Sequence, residues 1–180
     1  EAALIAMSEF RLVLDEYRVE NVYPLATAAV RDARNGAEFA REAGLRLRTP
    51  LRILPGEEEA RYSAMSVLSQ VAHPLGLVGD LGGGSLELIH MDHDTILERA
   101  SLPLGHLRLM DHLEAGEDID AQIDLALDSL PWLDLARGQK LYAIGGRWRD
   151  IGKIYLNDKK LPREALTSLH LPCDKFAKIG

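Results

Sequence analysis

Gly79-Asp80-Leu81-Gly82-Gly83-Gly84-Ser85-Leu86-Glu87-Leu88 is the stretch on which the reading of this chain turns. Upstream, Leu77 to Leu81 reads as a strand, and Leu86-Glu87-Leu88-Ile89-His90-Met91 alternates as a second one. A glycine turn between two strands differs from the two common phosphate loops. The Walker loop needs a lysine and a following helix, and the dinucleotide fingerprint also opens a helix. Here any phosphate would sit on a strand–turn–strand, where glycines allow positive φ and let backbone N–H groups approach an anion. A four-residue loop at 82–85 sets Leu81 opposite Leu86 and Asp80 opposite Glu87. Two carboxylates about 5 Å apart on one face repel. A hard divalent cation would remove that conflict, since Mg²⁺ is held by one or two carboxylates, water and phosphate oxygens. The alternative is a glycine-rich hairpin whose acids face solvent.

Outward from this turn, Thr95 to Leu102 reads as a third strand, so residues 77–102 form a meander. A short helix follows at 107–113 and a longer one at 118–133, then a strand at 140–144 and a helix carrying Trp148, Ile151, Gly152, Tyr155 and Leu156. Toward the N-terminus, Leu4, Met7, Phe10, Leu14 and Tyr17 define an amphipathic helix. Residues 21–27 and 51–54 are strand candidates, 28–33 a helical turn, 37–43 a helix closed by Gly44, and 57–72 a helix with acids in its first turn. The boundary between two parts falls near His73-Pro74.

The composition sets outer limits. In 180 residues, 47% hydrophobic and 27% charged, a folded core is expected and a disordered chain is not. The net charge of −7 has the wrong sign for a nucleic-acid or anionic-membrane partner. The single cysteine, Cys173, rules out an intrachain disulfide and points to a reducing, cytoplasmic setting. No apolar run reaches the length of a membrane span. The chain begins without Met, which suggests a truncated chain.

Two further groups carry chemistry. In Gly56-Glu57-Glu58-Glu59-Ala60 the acids are either solvated partners of the helix dipole or include one aimed at a reacting water. Arg31, on a small-residue turn, either forks onto phosphate oxygens or pairs with Asp32 or Glu38. His90-Met91-Asp92-His93 reads as a solvated loop, His106 and His112 receive no role, and Trp148 reads as packing.

In order along the chain, Ala26-Thr-Ala-Ala-Val-Arg-Asp-Ala-Arg-Asn-Gly36, Ile53-Leu-Pro-Gly-Glu-Glu-Glu-Ala-Arg61, Asp80-Leu-Gly-Gly-Gly-Ser-Leu-Glu87, Ser101-Leu-Pro-Leu-Gly105 and Ala143-Ile-Gly-Gly146 resemble the exopolyphosphatase and guanosine pentaphosphate phosphohydrolase (Ppx/GppA) family. The resemblance implies an α/β, actin-like ATPase fold (ribonuclease H-like; actin/Hsp70/sugar-kinase), with one complete lobe and part of the other. It places a partial N-terminal lobe with the inter-lobe helix at 1–73 and a C-terminal lobe at 74–180. It implies removal of the terminal phosphate of polyphosphate or pppGpp with Mg²⁺, a link to the stringent response, and leaves a homodimer open. By the same resemblance Asp80 and Glu87 organise the metal, Gly82, Gly83, Gly84 and Ser85 cradle phosphate, and Arg31 contacts it. Glu59 is the base that activates water, with Glu58 one position away. The family's first phosphate loop is absent, Leu86 and Arg147 replace usual threonines, and only Leu169-His170-Leu171-Pro172 suggests the later histidine stretches. The chain is therefore expected to be a central portion of a phosphohydrolase, inactive alone. The competing readings are a phosphate or alarmone sensor without turnover and a kinase or ATPase of the same fold.

Overall fold

The computed structural model describes residues 1–177, which divide into two compact units on either side of the Glu59–Ala60 bond. The first unit begins with α1 (Ala2–Glu16), followed by β1 (Leu25–Ala26), α2 (Ala28–Arg31), α3 (Gly36–Leu47) and β2 (Arg52–Ile53). β1 and β2 pair in parallel, Leu25 with Arg52 and Ala26 with Ile53. Ala26, Ala28, Ala43, Leu47 and Leu54 are its buried hydrophobic residues.

Two helices here differ from the sequence expectation. The inner side of α1 is narrower than its apolar stripe. Leu4, Met7 and Leu14 are partly buried, whereas Phe10 and Tyr17 are exposed at 57% and 76%. Arg11 occupies the missing inner position at i+4 from Met7, and its Nη1 donates to the Leu47 carbonyl at 3.4 Å. In α3, Gly44 does not end the helix. Arg48 takes the left-handed capping conformation at φ +57°, while a Cβ on Gly44 would lie 3.3 Å from the Leu51 nitrogen and the Thr49 oxygen. Gly44 serves close approach of the chain leaving the helix, a role that leaves the same residue type at nearly the same place as a cap.

α4 (Gly56–Leu68) contains the boundary between the two units. It stops earlier than the expected residue 72, giving way to a turn at Ser69 and Gln70. Beyond it run β3 (Leu75–Leu81), β4 (Leu86–Asp92), β5 (Thr95–Leu102), α5 (His106–Glu114), α6 (Ile119–Asp128), β6 (Lys140–Ile144), α7 (Gly146–Asp158) and α8 (Cys173–Phe176). The four strands form one sheet in the order β5-β4-β3-β6. β3, β4 and β5 are the antiparallel meander, and β6 lies parallel to β3.

Both faces of this sheet are covered. On one, Val78, Ile89 and Met91 pack with Ala60, Ala64 and Val67 of α4. On the other, Leu88, Leu102 and Leu104 pack with Leu77, Leu86, Ile123, Leu127 and Trp132. The helix expected at 118–133 is split: α6 ends at Asp128, and Pro131 starts a 3-10 turn reaching Ala136. Proline has no amide to continue the helical ladder. After Asn157, where the sequence signal fades, a 3-10 turn at 163–168 brings Leu166 against Gly152 of α7, where an added Cβ would meet its Cδ1 at 2.6 Å.

Candidate functional site

The glycine hairpin forms as its spacing requires. Asp80 pairs with Glu87 and Leu81 with Leu86, and the Gly82 amide donates to the Ser85 carbonyl at 3.0 Å. Directly opposed residues of an antiparallel pair share a face, here the α4 face that holds Val78 and Ile89. The two carboxylates differ in depth. Glu87 is 1% exposed and accepts from Ser101 Oγ at 2.9 Å, while Asp80 is half-buried and accepts from Ser63 Oγ at 2.6 Å. Ser101 is the residue opposite Glu87 on β5, and Ser63 lies on the buried side of α4. Sequence reading missed both serines as partners. Ser101 stands inside the Ser101–Gly105 motif, whereas Ser63 carries no signal beyond being a polar residue between Ala60 and Ala64.

Two glycines shape this corner by allowing backbone contact. Gly145 has φ +101°, and a Cβ there would lie 2.7 Å from Asp80 Oδ1. Gly105 is tighter, since a Cβ would lie 2.3 Å from the Gly83 oxygen, the Gly84 carbonyl carbon and the Ser85 nitrogen. The turn glycines themselves do less of the unusual backbone work than expected, because Gly82 and Gly83 do not take positive φ.

The turn rests on the start of α5. The Gly82 carbonyl accepts from the His106 amide at 3.1 Å and from His106 Nδ1 at 2.9 Å; the Gly83 carbonyl accepts from the Leu107 amide at 3.0 Å. The Gly84 carbonyl accepts from Arg108 Nε at 3.1 Å. Ser85 is buried.

The first unit holds a different arrangement. Arg31 Nη1 donates to Glu59 Oε2 at 2.8 Å and to the Leu54 carbonyl at 3.1 Å, and Nε lies 3.5 Å from Asp32 Oδ1. The expected pairing of Arg31 with Asp32 is present, and the nearer partner is Glu59, a contact closed over 28 residues of sequence that the sequence reading did not include. Glu58 points elsewhere, accepting from Arg52 Nη2 at 2.7 Å. Neighbours on a helix diverge by about 100°, so the two candidate bases meet different arginines.

As metal donors, Asp80 and Glu87 are hard oxygen ligands on one face, the kind that suits Mg²⁺. Ser63 and Ser101 orient them without adding charge. Among the described residues no cluster of three or more His, Cys, Asp or Glu side chains is placed to hold a metal ion by itself. A cation on this pair would complete its shell with water and ligand oxygens, as Mg²⁺ commonly does. Asp80, the more open of the two, is the better placed for direct contact.

Among the histidines, His90 does not lie in a solvated loop. It is 4% exposed, stacks on Trp132 with the rings 3° from parallel, and shares a hydrogen bond with Gln139 at 3.1 Å. Its place in β4 opposite Leu77 puts it on the face of the sheet that packs with Ile123, Leu127 and Trp132. Trp148 packs against Phe176, the ring centroids 6.0 Å apart. Among the described residues no helix is long and apolar enough to cross a membrane.

A meander of three strands with a fourth parallel to the first, its glycine turn flanked by paired carboxylates, defines an actin-like ATPase (ribonuclease H-like) fold. The chain belongs to the Ppx/GppA phosphatase family, whose profile matches residues 1–156. Its fold is similar to that of an exopolyphosphatase from Cytophaga hutchinsonii, with TM-score 0.76, 24% identity and coverage of 88% of this chain and 54% of that one. It is also similar to an exopolyphosphatase-like protein at TM-score 0.71 and 26% identity, covering 88% of this chain and 53% of the other. A curated relative, a bifunctional 3-dehydroquinate synthase/phosphatase of Fusobacterium nucleatum, is 28% identical over 114 residues, or 61% of this chain and 17% of that protein. The chain thus spans about half the length of these solved structures and a smaller share of the curated relative.

Proposed function

We propose that these residues belong to a phosphohydrolase that removes the terminal phosphate of an inorganic polyphosphate or of pppGpp. The observation that carries the reading is the hairpin itself: a turn whose three glycine carbonyls are engaged by α5, flanked by opposed carboxylates at Asp80 and Glu87. Family membership and exopolyphosphatase neighbours support the same class of substrate.

In this reading the amides of the turn and Ser85 bind the terminal phosphate. Arg31 contacts phosphate oxygens; its Nη2 is not used by Glu59, Leu54 or Asp32. Glu59 takes a proton from water at Oε1, the oxygen that Arg31 does not occupy, as water attacks phosphorus and the bond to the bridging oxygen breaks. The leaving oxygen departs with the shortened chain. Mg²⁺ held by Asp80 and Glu87 would offset phosphate charge.

The test is phosphate release by the full-length chain carrying these residues, from tripolyphosphate and pppGpp, with and without Mg²⁺, beside Glu59→Gln. Release that needs Mg²⁺ and falls in the variant supports the reading. Equal rates for the two proteins remove Glu59 as the base. Tight binding without release by the wild type replaces hydrolysis by a sensor.

A further inference from the structure

Three carbonyls in succession, on Gly82, Gly83 and Gly84, accept hydrogen bonds from residues 106–108. A trans peptide is planar, with its C=O and the following N–H pointing in opposite directions, and the chain contains no cis peptide among its described residues. Turning the carbonyls of 82, 83 and 84 toward α5 therefore turns the amides of Gly83, Gly84 and Ser85 away from it, as a row. Three successive amides facing one way form a concavity for an anion.

The row is held by side chains as well as by backbone. Only a donor can face a carbonyl, so His106 carries its hydrogen on Nδ1, 2.9 Å from the Gly82 oxygen. Arg108 Nε donates to the Gly84 carbonyl at 3.1 Å, while the first amides of α5 donate to the carbonyls of 82 and 83. Gly105 makes the approach possible, because any Cβ would enter the Gly83–Ser85 backbone. Neither His106 nor Arg108 needs to touch the anion for this to work.

We infer that His106 and Arg108 are positioning residues that set the amides of Gly83, Gly84 and Ser85 to receive a phosphate oxygen of a polyphosphate-type anion. This rests on the reading of residues 82–85 as a phosphate cradle. It adds that affinity is set from the opposite side of the turn, by two residues outside the glycine motif.

The full-length chain is tested as wild type and as His106→Asn, His106→Gln, Arg108→Lys and Arg108→Met. Amide exchange at Gly83, Gly84 and Ser85 is measured together with tripolyphosphate affinity, thermal unfolding, kcat and KM. Asn can place a side-chain N–H where His106 Nδ1 stands, and Gln cannot without moving the helix. His106→Gln and Arg108→Met are expected to speed exchange at these three amides and to weaken tripolyphosphate by about 3- to 30-fold, the loss of one hydrogen bond. KM should rise by the same factor and kcat change less, with His106→Asn near wild type and Arg108→Lys between. Unchanged exchange and affinity in His106→Gln and Arg108→Met overturn the inference, as does an equal loss in His106→Asn and His106→Gln. If exchange responds as described but wild type binds no tripolyphosphate, the orienting role stands and the phosphate-cradle reading is what fails.

Discussion

The two acidic regions of this chain solve the same problem by different means. At the hairpin, hydroxyls hold Asp80 and Glu87, from Ser63 and Ser101. At the start of α4, guanidinium groups hold Glu59 and Glu58, from Arg31 and Arg52. A hydroxyl fixes the direction of a carboxylate and leaves its charge in place, whereas an arginine fixes direction and offsets charge. The hairpin pair is thereby suited to a cation, and Glu59 is suited to keeping one oxygen engaged while the other faces a reacting water. The difference also separates two kinds of sequence signal: opposed carboxylates announce a metal-type site through repulsion, and an arginine–glutamate pair announces nothing until the chain folds.

Changes at the two regions should therefore differ in kind. The largest effect is expected from Glu59→Gln, which keeps the shape but removes the proton acceptor; kcat for phosphate release should fall by about 10²- to 10⁴-fold, measured in steady state, with KM less affected. Gly105→Ala attacks the support of the hairpin through a clash with backbone at 2.3 Å. It should lose about 1–3 kcal/mol of stability, seen in denaturant unfolding, while Gly116→Ala, with nothing within 4 Å of the added Cβ, serves as the strained but unobstructed control.

Removing single partners sharpens the contrast. Ser63→Ala takes a donor from a half-buried carboxylate and should cost about 1–2 kcal/mol in apo protein. If a cation takes Asp80 as ligand, adding Mg²⁺ together with tripolyphosphate should recover part of that loss; the same addition should leave an Arg31→Met deficit in place. Arg31→Met should also cost more than Arg52→Met. The Arg31–Glu59 side chains are 23% and 18% exposed against 58% and 26% for Arg52–Glu58, and pairs near the solvated end contribute roughly 0–1 kcal/mol. Equal costs for the two arginines would erase the distinction drawn between Glu59 and Glu58.

The smallest effect belongs to Asp150 on α7, a surface carboxylate that gives the comparison its solvated reference. Lys153 Nζ lies 2.9 Å away and holds the Asp150 carboxyl below the usual carboxylate range by hydrogen bonding and charge. A depressed folded value means that its contribution is present above the unfolded value and is lost as pH falls through the folded one. Lys153→Met should move the Asp150 titration upward in NMR with scarcely any change in unfolding midpoint, because the pair is exposed.

Much of the hairpin was legible beforehand because its determinants are local. A four-residue loop fixes register, register fixes which side chains oppose, and alternation fixes the face, so Asp80 against Glu87 followed from counting. Pro131 and Gly44 stand in the same text, but their roles depend on more than local pattern. Apolar periodicity continues through Pro131, where the helix breaks, and Gly44 has the residue type and position of a cap while it makes room for residues 49–51. His106 and Arg108 looked like ordinary helix residues, since their partners are backbone oxygens more than twenty residues away.

What the sequence by itself determined is the hairpin, the order of strands and helices in the sheet-bearing unit, and the family. These depend on periodicity, turn chemistry and motif order, all carried by near neighbours in the chain. What only the tertiary structure decided is the set of partners: Ser63 for Asp80, Ser101 for Glu87, Arg31 for Glu59, and α5 for the back of the glycine turn. Each partner lies 14 to 28 residues from the group it holds. Hydrogen bonds of such span are set by which surfaces pack together, and packing is a property of the folded chain rather than of any stretch of it.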